Sequence, residues 1–180
     1  MNKPSKDNIK EPILSPIKQK YDDKSIIKKI IAWRTHNRHF QFIEDYIVWV
    51  ESIQLWVKIP AGFLFDGASI PKLLQSVTSA IDSLFYGSIL HDFIYRTGQL
   101  IVCNDANYGC WHLKDFKKDE ADSIMAAFSD QMEGVTTPSI IVKNMLGVFG
   151  WVAWGNARKR NMRITTPYPP FNDKTLNYYN

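Results

Sequence analysis

Between residues 40 and 65, apolar and polar positions alternate, which is the pattern of β-strands with one buried face. A first run ends at a turn near Glu51-Ser52, and a second run ends at Pro60-Ala61-Gly62. A short third run follows at residues 63–65. Turns at this spacing predict a small antiparallel sheet or meander. The alternating apolar residues are Phe42, Tyr46, Val48, Val50, Ile53, Leu55, Val57 and Ile59.

Apolar residues recur at the helical period in the second half of the chain. The predicted helices span residues 72–79, 84–97, 117–133 and 138–160. Gly98 is expected to cap the second of these helices, and residues 99–116 are expected to form a loop or a hairpin. Residues 25–33 fit a helix or a strand equally well, and the apolar run at 145–154 is too short to span a bilayer. An α+β fold is therefore predicted.

The two ends of the chain differ in composition from the middle. Residues 1–25 are polar, rich in lysine and interrupted by three prolines, whereas residues 161–180 are aromatic and also contain prolines. Segments of this kind have no core of their own. We therefore predict a flexible N-terminal arm, a single domain over residues 26–160 and a C-terminal arm.

Composition and charge narrow the class of protein only a little. The hydrophobic content of 45% argues against disorder of the whole chain, and the net charge of +4 is too mild to indicate a nucleic-acid partner. Two cysteines, Cys103 and Cys110, do not make a disulfide framework, and their spacing with His112 is not a recognised zinc motif. The N-terminus has no apolar core of a signal peptide, so we expect synthesis in a reducing cytosol.

Chemically active side chains concentrate in the predicted helix at residues 84–97. His91 and Tyr95 are four residues apart and share one helix face, while Asp92 is turned roughly 100° away. The neighbouring residues are apolar, so these polar groups need partners. A general base, a metal ligand and a hydrogen-bonded core histidine are all compatible with this segment.

Two further carboxylates are candidates for the same site. Asp66-Gly67 predicts a tight turn that exposes backbone carbonyls and offers oxygen ligands for a cation, although taken alone an ordinary strand-to-helix turn is the simpler explanation. Asp122 lies at the edge of the apolar stripe of the predicted helix 117–133. From there its carboxylate can reach a histidine on a neighbouring helix or can be merely solvated.

Three motifs in order carry a family resemblance: residues 57–63 leading into Asp66-x-Ala68-Ser69-Ile70-Pro71, His91-Asp92-x-x-Tyr95-Arg96, and Ala121-Asp122 with Phe128. Together they resemble the domain of unknown function 1353 family, which is found largely in bacteriophages and prophages. The resemblance covers roughly residues 40–155 and leaves both arms outside it.

The same motifs are similar to those of the small prokaryotic phospholipase A2 enzymes. This resemblance implies a helical core of paired antiparallel helices, with His91 as the general base and with Asp122 and Tyr95 orienting its ring. It also implies a calcium ion held by Asp66, Asp92 and the carbonyl of Gly67. The chain departs from secreted phospholipases in lacking their stapling disulfides and the glycine-rich calcium loop of the animal enzymes.

Two hypotheses about function follow from the resemblance. In the first, the chain is a bacteriophage protein made in the host cytoplasm, with a calcium-dependent ester-hydrolase site that acts on lipids of the host membrane. In the second, it is a non-enzymatic virion protein of the tail or neck, and residues 1–25 and 161–180 contact other virion subunits. An enzyme carried in the virion would show features of both.

Overall fold

The computed structural model describes residues 11–17, 39–65, 84–105, 110–134, 151, 154–155 and 163–167. Within these ranges the chain has a mixed α+β fold, as predicted. The strands are β1 (Leu14–Ile17), β2 (His39–Phe42), β3 (Tyr46–Val50), β4 (Leu55–Ile59), β5 (Leu64–Phe65), β6 (Gln99–Cys103) and β7 (His112–Asp115), and the helices are α1 (Phe85–Thr97) and α2 (Lys118–Glu133).

The strands form two antiparallel sheets, with the orders β1-β2-β5 and β3-β4-β6-β7. The alternation in the sequence corresponds to the observed strands, since Val48 pairs with Val57 on the buried face of the β3–β4 hairpin. On the other face Trp49 pairs with Trp56, and their ring centroids lie 5.7 Å apart. The predicted antiparallel sheet is thus present, but its strands are divided between two sheets.

Among the described residues, one apolar core joins both sheets to the helices. Phenylalanine rings form many of the contacts in this core. Between ring centroids, Phe42 of β2 lies 5.8 Å from Phe65 of β5, and Phe63 lies 4.9 Å from Phe93 of α1. Aromatic pairs at these distances add to the stabilisation from burial alone. The sheets therefore hold the buried face of α1 in place.

Helix α1 ends where the sequence predicts. Gly98 adopts the left-handed conformation with φ of 75°, and its N–H donates to the carbonyl oxygen of Ile94 at 2.6 Å. This geometry favours glycine, because a side chain at positive φ meets the backbone. The cap turns the chain directly into β6.

Helix α2 runs antiparallel to α1 and packs closely against it. Gly87, near the start of α1, faces Met125 in the middle of α2 and Ser129 in its second half, whereas Tyr95, near the end of α1, contacts Asp122 in the first half. A Cβ atom on Gly87 would lie 2.2 Å from Oγ of Ser129 and 2.3 Å from the carbonyl oxygen of Met125. The absence of a side chain at Gly87 therefore allows the two helices to approach.

The segment predicted as a loop or a hairpin is a hairpin of β6 and β7. Cys103 and Cys110 form a disulfide at the turn end of this hairpin, with Cα atoms 5.4 Å apart. This pairing differs from the expectation drawn from synthesis in a reducing cytosol. The antiparallel strands explain it, because they bring two cysteines close in sequence to a Cα separation suited to a disulfide.

Parts of both predicted arms contact the domain. Strand β1 lies within residues 1–25 and pairs with β2, and Glu11 accepts a hydrogen bond from Tyr86 at 2.9 Å. In the C-terminal segment, Arg163 makes two 2.6 Å hydrogen bonds to the carboxylate of Asp115.

Several predictions fall outside the described residues. They include the helix at 72–79, the segment at 25–33 and most of the helix at 138–160, of which Trp151, Trp154 and Gly155 are described as helical. Within the described part of the chain, no helix has both the length and the apolar character needed to cross a membrane.

Candidate functional site

The imidazole of His91 is buried between α1 and α2. Its Nε2 lies 3.1 Å from Oδ1 of Asp122, so the hydrogen bond expected between these residues is confirmed. An ionised carboxylate can only accept, and Nε2 therefore donates the proton in this bond. When the ring is neutral, Nδ1 then keeps its lone pair.

Asp122 receives two further hydrogen bonds. The hydroxyl of Tyr95 donates to Oδ1 at 2.8 Å, and Nζ of Lys118 donates to Oδ2 at 2.6 Å. The bond from Tyr95 corresponds to the contact that the sequence predicts, whereas Lys118 is absent from the predicted site. The i, i+4 spacing of Lys118 and Asp122 is the signal that could have suggested this pair.

The other side of the His91 ring faces Asp92. Nδ1 of His91 lies 3.9 Å from Oδ1 of Asp92, and Oδ2 of Asp92 lies 4.0 Å from Nη2 of Arg96. The Asp92 side chain is 19% exposed, compared with 4% for Asp122. The imidazole is therefore placed between a fully buried carboxylate and a more accessible one.

The electrostatics of the pair favour charge on both partners. Burial acts to lower the pKa of His91, but hydrogen bonds and negative charge from Asp122 and Asp92 outweigh it and raise the pKa above 6.5. For Asp122, burial acts to raise the pKa, whereas hydrogen bonds from His91, Lys118 and Tyr95 lower it below 3.8. Burial and the neighbouring Asp122 raise the pKa of Tyr95, which keeps its hydroxyl proton.

Aromatic side chains surround the donors to Asp122. The Tyr95 ring lies against the His91 ring with centroids 3.9 Å apart, and Trp154 meets Tyr95 edge-on at 5.1 Å. Nζ of Lys118 lies 5.2 Å from the centre of the Trp151 ring. The sequence predicts Trp151 on a buried helix, but it is 58% exposed.

The predicted calcium ligands are described only in part. Asp66 and Gly67 lie outside the described residues, and Asp92 is the one predicted ligand within them. Across residues with described positions, no three His, Cys, Asp or Glu side chains group closely enough to hold a metal ion. The Asp92 side chain is 19% exposed, its Oδ1 lies 3.9 Å from Nδ1 of His91, and its Oδ2 is buried.

The fold and the site define an α+β protein with a buried histidine–aspartate pair between two antiparallel helices. The family model described as "Protein of unknown function (DUF1353)" matches residues 40–141, which is more than half of the chain. The chain belongs to this family, as its motifs predict. No curated protein and no solved structure matches it.

Proposed function

We propose that this protein hydrolyses ester bonds of phospholipids in the manner of phospholipase A2, with His91 as the general base. The observation that supports the proposal is the orientation of the imidazole. Nε2 is bound to the buried Asp122 at 3.1 Å, which leaves Nδ1 on the side of the more accessible Asp92. A general base requires this kind of fixed tautomer and an accessible lone pair.

In the proposed reaction, Nδ1 of neutral His91 takes a proton from a water molecule as its oxygen attacks the ester carbonyl carbon. Asp122 and Tyr95 keep the ring oriented, and Asp122 balances the positive charge that the ring acquires. As the C–O bond of the ester breaks, His91 returns the proton to the alkoxide leaving group. The products are a fatty acid and a lysophospholipid, and no protein nucleophile is required.

Calcium is part of the proposal. Asp92 would hold the ion together with Asp66 and the backbone carbonyl of Gly67. Bound there, calcium supplies polarisation of the ester carbonyl. The guanidinium of Arg96 lies 4.0 Å from Asp92 and also donates to the carbonyl oxygen of Leu64, so it is anchored beside the carboxylate.

The motif resemblance to phage proteins suggests where such an activity would be used. We place the protein in bacteriophage infection, made in the host cytoplasm and acting on phospholipids of the host envelope. Association with the virion would deliver it to that membrane.

A second candidate function is favoured by one observation. The raised pKa of His91 favours an imidazolium paired with Asp122, and such an ion pair can serve structure alone. In that case the protein is a virion component of the tail or neck. Residues 1–25 and 161–180 would then contact neighbouring subunits.

The test is release of fatty acid from vesicles of phosphatidylglycerol and phosphatidylethanolamine, measured with calcium and with chelator. His112→Gln is the matched control, because His112 is exposed on β7. We expect release by the wild type and the control in calcium, and none from His91→Gln, since glutamine cannot accept the proton.

Release that persists in folded His91→Gln would exclude the proposed base. Absence of release from folded wild-type protein with calcium would overturn the hydrolase proposal and favour the structural candidate. Equal release with chelator would remove calcium from the proposal while leaving the role of His91 intact.

A further inference from the structure

Lys118 makes the third hydrogen bond to Asp122 and is almost completely buried. Its side chain is 1% exposed, and its Nζ lies 2.6 Å from Oδ2, while His91 and Tyr95 both bind Oδ1. The two oxygens of the carboxylate are therefore occupied by different partners.

General stability does not account well for a lysine at this position. Lys118 is the first residue of α2, where the helix dipole disfavours positive charge. Burial of a paired charge also gives weak stabilisation, since an apolar pair of similar volume is often equally stable. A residue that conflicts with two local preferences is more readily explained by the site that it touches.

We propose that Lys118 is a positioning residue of the site: its ammonium holds Oδ2 so that Oδ1 stays directed at His91 and Tyr95. A carboxylate bound through only one oxygen can rotate about the Cβ–Cγ bond, and the bond from Lys118 opposes this rotation. The expected effect of Lys118 on kcat rests on the proposed function. Its expected effect on the His91–Asp122 hydrogen bond does not, because that bond can be observed without activity.

The Trp151 ring contacts the ammonium of Lys118. The centre of the ring lies 5.2 Å from Nζ of Lys118, within the range of a cation–π contact. The indole thus covers an ammonium that would otherwise attract water beside Asp122. Lys118 is held from both sides, by a carboxylate and by an aromatic ring.

The kinetic test compares Lys118→Met with Lys117→Met. Methionine keeps the unbranched shape and the helix propensity of lysine without its charge, and Lys117 is the exposed neighbour. We expect kcat to fall by roughly 10- to 100-fold in Lys118→Met with little change in KM, the range typical of residues that orient a functional group. The Lys117 control should retain wild-type kinetics.

The spectroscopic test does not need activity. In the wild type, the Nε2–H proton of His91 should give a downfield NMR signal protected from solvent exchange, assigned by its loss in His91→Gln. We expect Lys118→Ala to lose this protection. Propylammonium, which can occupy the vacated space, should restore it, whereas propanol of similar shape should not.

These measurements separate the possible failures. A protected signal that persists in folded Lys118→Ala would overturn the positioning role, and so would equal rescue by propanol, which indicates packing alone. If the Ala variant does not fold, the same signal in Lys118→Met decides the question. A wild type without hydrolysis but with a Lys118-dependent signal would refute the proposed function and retain the positioning role.

Discussion

At the scale of the residue, opposing effects on the pKa of His91 set the pH above which it can act as a base. Burial favours the neutral ring, and the two flanking carboxylates favour the charged ring and prevail. Protonation therefore stabilises the fold, while deprotonation prepares the residue for the proposed reaction. Stability and activity should respond to pH in opposite directions.

We expect hydrolysis to increase as the pH rises through the raised pKa of His91, because only the neutral ring accepts a proton. The stabilisation from His91 is fully present below 6.5, the pKa of the unfolded state, and is lost as the pH rises through the folded pKa. Initial rates of hydrolysis and the free energy of unfolding in urea, both measured from below pH 6.5 to above the folded pKa of His91, check these two pH dependences. Activity that is already maximal below pH 6.5 would contradict this account.

The sequence makes His91 and Tyr95 candidates because they share a helix face, whereas Asp122, at the edge of an apolar stripe, becomes a candidate only through the motif resemblance. It does not identify Lys118, since a lysine at the start of a helix normally extends into solvent. The burial of Lys118 involves contacts with side chains of other helical turns and with Trp151, which is distant in sequence.

At the scale of the element, the site depends on how closely α1 and α2 approach. Gly87 sits at the contact with Met125 and Ser129, and His91 is one helical turn further along α1. A change in helix separation at Gly87 is therefore transmitted to the His91–Asp122 distance.

We expect Gly87→Ala to destabilise the protein by about 1–3 kcal/mol, because the added methyl group overlaps the backbone of α2. Urea unfolding measures this loss, and weaker protection of the His91 N–H should accompany it. Gly155→Ala is the matched control, since none of the described residues outside its own helix lies within 4 Å of its added Cβ and alanine favours the helix. Equal stability of the Gly87 variant and the wild type would contradict the close approach.

Most of the described helices and several of the strands can be predicted from the sequence. Period-two alternation predicts β3 and β4, the helical period predicts α1 and α2, and Gly98 marks a helix end. The division of the strands into two sheets is not predicted. It depends on β1 and β5 pairing with β2, and β1 is separated from β2 by more than twenty residues.

At the scale of the whole molecule, the Cys103–Cys110 disulfide ties the turn of the β6–β7 hairpin. Strand β6 pairs with β4 and is connected through Gly98 to α1. Strand β7 is largely exposed and lies at the end of the order given for its sheet. The disulfide thus lies on the β6–β7 hairpin, whereas the His91–Asp122 pair joins the two helices.

We expect replacement of both Cys103 and Cys110 by alanine to lower the free energy of unfolding by about 2 kcal/mol, since the loop that the disulfide closes is short. Hydrogen exchange should become faster in β7, and the His91 N–H should keep its protection. Urea unfolding with and without reductant checks this, because only the wild type should respond to reductant. If reductant destabilised the double variant as much as the wild type, the loss of stability could not be assigned to the disulfide.

Strand β1 has a consequence for how the molecule can associate with its own copies. It covers one side of β2 through antiparallel pairing of Leu14–Ile17 with His39–Phe42. A chain shortened past Ile17 would leave the backbone donors and acceptors of β2 open along that edge, beside the large apolar side chains Phe40 and Phe42. Two shortened chains could then pair edge to edge through β2, because loss of β1 replaces an edge strand that contains Pro16 with one that contains no proline.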